Sequence, residues 1–252
     1  MKVALILFLF SCSAWSAPVP VLVGGYEFPP YVMNKGKNEY HGLTLDLIEL
    51  LNQKQTKYSF RFVPTSSSRR YHDLRTGRYQ IIAFESKSWG WSPELVESSK
   101  IFHKGGEVFV ALNSPQRTQS YFKDLKSKKI RGIRGYHYGF LGLSTGAKAI
   151  KGFNIEFTNT HDGNIRAVIS KRADIAVVPK EYLDLYLHEN PEDQKLLMIS
   201  KDFDQIYELG ILVSTEQKAI QAADINKMID GILKDGSWSN VLRKKGISYK
   251  HP

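Results

Sequence analysis

The sequence predicts an α/β protein with largely parallel sheets. Short apolar runs with strand character alternate with amphipathic helical segments along the chain. The pattern restarts near Lys129, as if a second unit began there. The 252 residues suffice for one large domain or two small ones with a substantial core.

The elements are expected in the following order. Val19 to Gly24 reads as a buried strand running into YEFPPY, where Pro29 and Pro30 forbid regular ladder pairing. Leu43 to Gln53 is an amphipathic helix, with Leu43, Leu47, Leu50 and Leu51 at helical spacing. Tyr58 to Val63 alternates like a strand, and Ser68 to Thr76 suits a short helix ended by Gly77. Tyr79 to Phe84 and Glu107 to Leu112 are apolar strands. After the restart, Lys129 to Ile133 is a strand, Asn164 to Lys171 a helix and Ala173 to Val178 a buried strand. Tyr182 to Leu187 reads as helix, and Leu196 to Ile199 and Glu208 to Ser214 as two strands. Gln217 to Lys234 and the segment after Gly236, with Trp238, Val241 and Leu242, read as helices. LRTGRYQIIAF (74–84) and VISKRADIAVV (168–178) echo each other as helix end, basic turn and apolar strand.

The first residues carry a message of their own. Met1-Lys2, the apolar run Val3 to Phe10 and the small residues of SCSAWSAPVP match a secretory signal peptide over 1–16, cleaved before Ala17. A lipoprotein reading around Cys12 stays open. Cys12 is the only cysteine, so an exported mature chain has no thiol or disulfide chemistry. The net charge of +10 suggests attraction to anions without naming them.

Chemistry-bearing motifs are few. The stretch IRGIRGYHYG (130–139) sets Gly132, Gly135 and Gly139 beside Tyr136, His137 and Tyr138. It is not a phosphate-binding GxxxxGK[ST] or GxGxxG. Its GxxG also occurs in RNA-binding modules, but no nucleic-acid partner is expected for an exported chain. The seven histidines show no HExxH or i, i+4 pairing, so no metal is expected, and no cofactor motif is present. No nucleophile signature such as GxSxG appears. Aromatic residues do cluster after predicted strands: Tyr26, Phe28 and Tyr31; Trp89 and Trp91; Tyr136 and Tyr138. In open α/β sheets ligands bind beyond the carboxyl ends of strands. The rings either line such a cleft or pack the core beneath loops.

Distributed matches now support a resemblance. Val21-Leu22-Val23-Gly24 with Pro29-Pro30-Tyr31, Gly42-Leu43-Thr44-Leu45-Asp46-Leu47, Gly77-Arg78-Tyr79-Gln80, Asp124 to Ile130 and Asp235-Gly236-Ser237-Trp238 all enter it. Together they resemble the bacterial periplasmic solute-binding proteins of the polar amino-acid type, family 3. The resemblance implies a two-lobed type II periplasmic binding fold, with lobe 1 in 17–112 and 210–252 and lobe 2 in 113–209. Two crossings, near Glu107–Ser114 and Asp204–Ser214, would form the hinge. It implies a small-molecule ligand in the interlobe cleft, a membrane permease or sensor as partner, a periplasmic location and a monomer.

The departures from the family pattern matter. The arginine that holds the α-carboxylate in amino-acid binders falls here at about Ser92, and the acid for the α-amino group at about Pro179. Free α-amino acids are therefore not the expected ligand. A divergent branch is closer, with Arg69 matching its arginine and Gly135 to Tyr138 its GYxY turn. Gly135 would make a strand-to-helix turn whose amides bind an anionic group. The expected ligand is a small polar molecule bearing a carboxylate, contacted by Tyr26, Phe28, Arg69, Glu85, Trp89, Arg134, Tyr136, His137 and Tyr138. An enzyme on the same scaffold, with Glu85 as its carboxyl, and a ligand-free interaction protein remain as alternatives.

Overall fold

The computed structural model describes residues 17–36 and 39–247. The export segment expected over 1–16, with Cys12, lies outside the described residues. The first half of the chain forms β1 (Val19–Gly25), β2 (Met33–Asn34), β3 (Tyr40–His41), α1 (Leu43–Lys54), β4 (Tyr58–Pro64), α2 (Arg70–Arg75), β5 (Ile81–Glu85), β6 (Val96–Ser98) and β7 (His103–Leu112). The second half forms β8 (Lys129–Ile133), α3 (Ala147–Ile150), β9 (Asn154–Thr158), α4 (His161–Ile169), β10 (Ile175–Pro179), α5 (Lys180–Glu189), β11 (Leu197–Ser214), α6 (Ala222–Lys234) and α7 (Ser237–Lys244).

The principal sheet runs β4-β1-β5-β11-β7-β10-β8-β9, with β6 added to β11. Its outer pairs are parallel: β1 with β4 and β5, and β8 with β9 and β10. The middle is antiparallel, because β7 and β11 cross from one half to the other against their neighbours. The largely parallel expectation thus holds at the two ends and is corrected in the centre. The segments read as separate strands at 196–199 and 208–214 form one strand of 18 residues. Its N-terminal part pairs with β7 and its C-terminal part with β5. A shift in register near Phe203 bends it where the sequence turns polar. The two echoing segments occupy equivalent places. β5 flanks one crossing strand and β10 the other.

Helices cover the sheet through the stripes that the sequence supplies. Leu43, Leu47, Leu50 and Leu51 of α1 are buried, as their spacing requires. On α6, Ile225, Ile229 and Ile232 are buried. Trp238 of α7 is fully buried, and its ring lies 5.9 Å from that of Phe84 and 6.0 Å from that of Phe102. The C-terminal helix is therefore anchored on the sheet of the first half. Among the described residues no helix is long and apolar enough to cross a membrane.

Removing that anchor leaves a cavity that rigid strands cannot collapse. Trp238→Ala is expected to lower unfolding free energy by about 3–5 kcal/mol, read from the urea midpoint at unchanged slope.

Candidate ligand-binding site

The three glycines of IRGIRGYHYG are present for three local reasons. Gly135 has φ +78°, and a Cβ there would come 2.8 Å from Ser67 Oγ. Only glycine suits both the conformation and the close approach of the facing half. A Cβ on Gly132 would lie 2.9 Å from the Tyr138 ring, and one on Gly139 would run into the Asp204 carbonyl. Tyr138 is thereby seated under β8, fully buried, where its hydroxyl accepts the Ile133 N–H at 2.6 Å.

The expected strand-to-helix turn is instead a 3-10 turn over Gly139–Leu141. Its first amides already hold an anion, and that anion belongs to the protein. The Asp204 carboxylate accepts Gly139 N–H at 2.7 Å and Phe140 N–H at 2.8 Å. Burial pushes this carboxyl up to about 6, and the two amide bonds oppose the rise.

Between the halves, α2 and the loops after β1 and β5 face the turn after β8. Ser67 Oγ donates to the Arg134 carbonyl at 2.7 Å, and Tyr136 Oη to the Glu27 carbonyl at 2.8 Å. Tyr71 Oη lies 2.8 Å from His137 Nε2, while His137 Nδ1 faces the Leu143 carbonyl at 2.6 Å. A carbonyl accepts only, so Nδ1 carries a proton. These contacts close the two halves on a small cavity lined by Tyr26, Phe28, Arg70, Trp89, Glu107, Tyr136, His137 and Gln205. It encloses about 10 Å³, room for roughly one water-sized group.

The rings pack edge to face. Phe28 lies 5.4 Å from Tyr136 and 5.7 Å from Trp89, with interplanar angles of 89° and 76°. Arg70 is 1 % exposed, with its guanidinium over the Tyr26 ring at 4.8 Å and the Tyr71 ring at 4.5 Å. Its Nε lies 3.4 Å from Glu85 Oε2, which also accepts Trp91 Nε1–H at 2.6 Å. Burial pushes the Glu85 carboxyl up, and Arg70 and Trp91 pull it back. Arg70 is thus a charge already matched.

Glu107 differs. It is 2 % exposed and accepts Gln205 Nε2–H at 2.8 Å, while Gln205 also bonds the His137 carbonyl. No cationic side chain pairs with it among the described residues. Burial raises its carboxyl well above the usual range, with Asp204 and Glu181 adding to the effect. Behind it, burial lifts Glu181 to about 7.

The structure brings Tyr26, Phe28, Trp89, Tyr136 and His137 of the expected set to one cavity. Glu85 stands behind Arg70 rather than in the lining. Arg69 points away; its side chain is 67 % exposed and lies 3.7 Å from Asp73. Arg134 is exposed, and its side chain reaches the Phe157 carbonyl at 3.4 Å. Tyr138 is a packing residue beneath the turn. Ser92 sits outside the cavity, bonded to Glu94, and Pro179 ends β10 opposite Glu107. Arg70, Glu107 and Gln205 were not read from the sequence. The available signal for Glu107 was a lone carboxylate inside the apolar run GGEVFVAL. Among the described residues no cluster suits a metal ion.

Two outcomes follow from these charges. Glu85→Gln leaves Arg70 buried without its counter-charge and is expected to cost about 3–5 kcal/mol in chemical denaturation. Glu181 holds its proton more tightly folded than unfolded. Its contribution is complete below about pH 4.5 and is lost as pH rises to about 7. Glu181→Gln should therefore be relatively more stable than the parent at pH 8 than at pH 5, compared by urea midpoints.

Comparison with known proteins agrees with this architecture. Residues 21–245 match the bacterial extracellular solute-binding proteins, family 3. Among solved structures, the P235GK mutant of ArgBP from T. maritima is similar at 19% identity and TM-score 0.70, covering 90% of this chain and 94% of that one. The substrate-binding protein of an amino acid ABC transporter gives 18% identity and TM-score 0.67, covering 89% and 98%. The ancestral amino acid-binding protein AncCDT-1, described as a precursor of cyclohexadienyl dehydratase, gives 18% and 0.67, covering 90% and 94%. No curated protein matches the sequence. With the match spanning nearly all described residues and the two-lobed α/β fold shared with these structures, the chain belongs to the bacterial extracellular solute-binding proteins, family 3.

Proposed function

We propose that the chain is a periplasmic solute-binding protein that captures a small polar organic molecule between its lobes and presents it to an ABC-type permease or a sensor. The observation that carries this reading is the composition of the cavity wall. Tyr26, Phe28, Arg70 and Trp89 come from one half, Tyr136 and His137 from the other, and Glu107 and Gln205 from the strands that join them. A solute touching all three sets binds the closed arrangement best and shifts the open–closed equilibrium toward it. The lobes are assigned as 17–112 with 210–252, and 113–209, in a monomer. Export of a chain cleaved near Ala17 accords with this role, as does the ABC transporter component among its structural relatives.

The carboxylate expected on the solute meets receptors that are already engaged. Arg70 is matched by Glu85, and the turn amides by Asp204. An enzyme on this scaffold is the second reading, favoured by the buried Glu107 carboxyl and by the likeness to a dehydratase precursor. A solute consumed on incubation, rather than recovered unchanged, would move the assignment to it.

A thermal-shift screen of small polar metabolites should find a solute that raises the melting temperature, since binding to the native state alone stabilises by mass action. Small-angle scattering should then show a smaller radius of gyration with that solute. No compaction with a bound solute would sink lobe closure. The twenty standard amino acids are expected to bind no tighter than about millimolar, near −4 kcal/mol, in titration calorimetry.

A further inference from the structure

We infer that the captured solute carries a protonated primary amine, held by Glu107 inside the ring of aromatic side chains, and needs no carboxylate. This rests on the capture reading above and names the chemistry of the same cleft. The first support is the balance of charges. The positive charge in the cavity wall, Arg70, is answered by Glu85. The carboxylate of Asp204 is answered by two amides. Glu107 lines the same cavity with a neutral amide as its partner and makes no ion pair among the described residues. A buried carboxyl without a counter-charge keeps its proton, and an arriving ammonium stabilises the ionised form, with the proton released to solvent.

The second support is the wall itself. Phe28, Trp89 and Tyr136 are each less than 8 % exposed and line the cavity beside Tyr26, whose ring already carries the Arg70 guanidinium at 4.8 Å. Aromatic faces attract a cation most where water is excluded. The space between the halves is small, about 10 Å³, on the scale of a compact ammonium head.

The third support lies on the other side of Tyr136, which also walls a neighbouring cavity of about 150 Å³. That cavity is lined by Glu27 and Pro29 from one half and by Ile133, Thr160, His161 and Tyr182 from the other. Glu27 has no ion pair there among the described residues, whereas Asp162 in the same wall is engaged by Arg166 at 2.9 Å. His161 is 3 % exposed, with both ring nitrogens unpartnered, and burial holds it neutral, down at about 3. A neutral imidazole offers an acceptor as well as a donor. Opening the lobes breaks the Tyr136–Glu27 bond and joins the two spaces. An alkyl chain attached to the ammonium then has a place to run, toward a second polar group at Glu27 and His161.

Titration calorimetry with n-butylammonium and 1,4-diaminobutane as probes, against n-butanol, butanoate and tetramethylammonium, tests this. Both amines are expected to bind at least about tenfold more tightly than the three comparators. Glu107→Gln should weaken both amines by a similar factor, and it keeps the Gln205 contact through its carbonyl. Should that variant fail to fold by circular dichroism, the order of the probes on the parent protein still decides. Butanoate or n-butanol binding as tightly as the amines, or a folded Glu107→Gln with unchanged amine affinity, overturns the inference and leaves capture standing. Neither amine binding at millimolar concentration overturns it too. Capture itself falls only if the wider solute screen also yields nothing.

Discussion

Everything in this molecule is referred to the antiparallel ribbon of β7 and β11. The two strands pair over most of their length and are the only elements of the described chain whose neighbours lie in both halves of the sheet. Gly105 and Gly106 let the ribbon pack closely, since a Cβ at either would strike Tyr207 or Phe203. Glu107 and Gln205 follow on the two strands in register with each other. The floor of the cavity is therefore part of the ribbon that joins the two halves.

The positive groups around this cavity are largely matched internally. Arg70 is stacked between two tyrosines and faced by Glu85; the turn amides are filled by Asp204. Groups that would welcome an anion are thereby withdrawn, although the whole chain carries +10. Net charge acts on long-range approach, and the local balance of buried groups decides what can stay. The two point in opposite directions here: the chain as a whole is cationic, while the positive groups at the cavity are already paired.

The fold was legible in the sequence wherever one period ruled a segment. α1 and α6 display their buried stripes directly, and β1, β4 and β8 begin and end close to where their apolar runs do. β9 was missed because its alternation rests on only two apolar residues, Ile155 and Phe157, in a run of five. β11 was split because KDFDQ, at the bend, lies partly exposed between two buried ends. The site was harder. Successive helical residues point about 100° apart, so reading Arg69 instead of Arg70 exchanges a solvated side chain for a buried one. Glu107 and Gln205 are far apart in sequence, and only strand register brings them together. The aromatic clusters were visible because several rings recur after separate strands, a signal that survives errors of a residue or two.

The Asp204 carboxylate has one more consequence. It sits on β11, yet its charge occupies amides of the turn after β8, so a side chain of the protein itself competes, intramolecularly, with any solute anion for those donors. Diversification of such a scaffold therefore need not invent an anion receptor. Loss of one tethered side chain uncovers two aligned N–H donors that the backbone has kept in place, and the range of molecules admitted shifts without remodelling either lobe. An intramolecular plug of this kind keeps an anion-binding geometry intact but silenced.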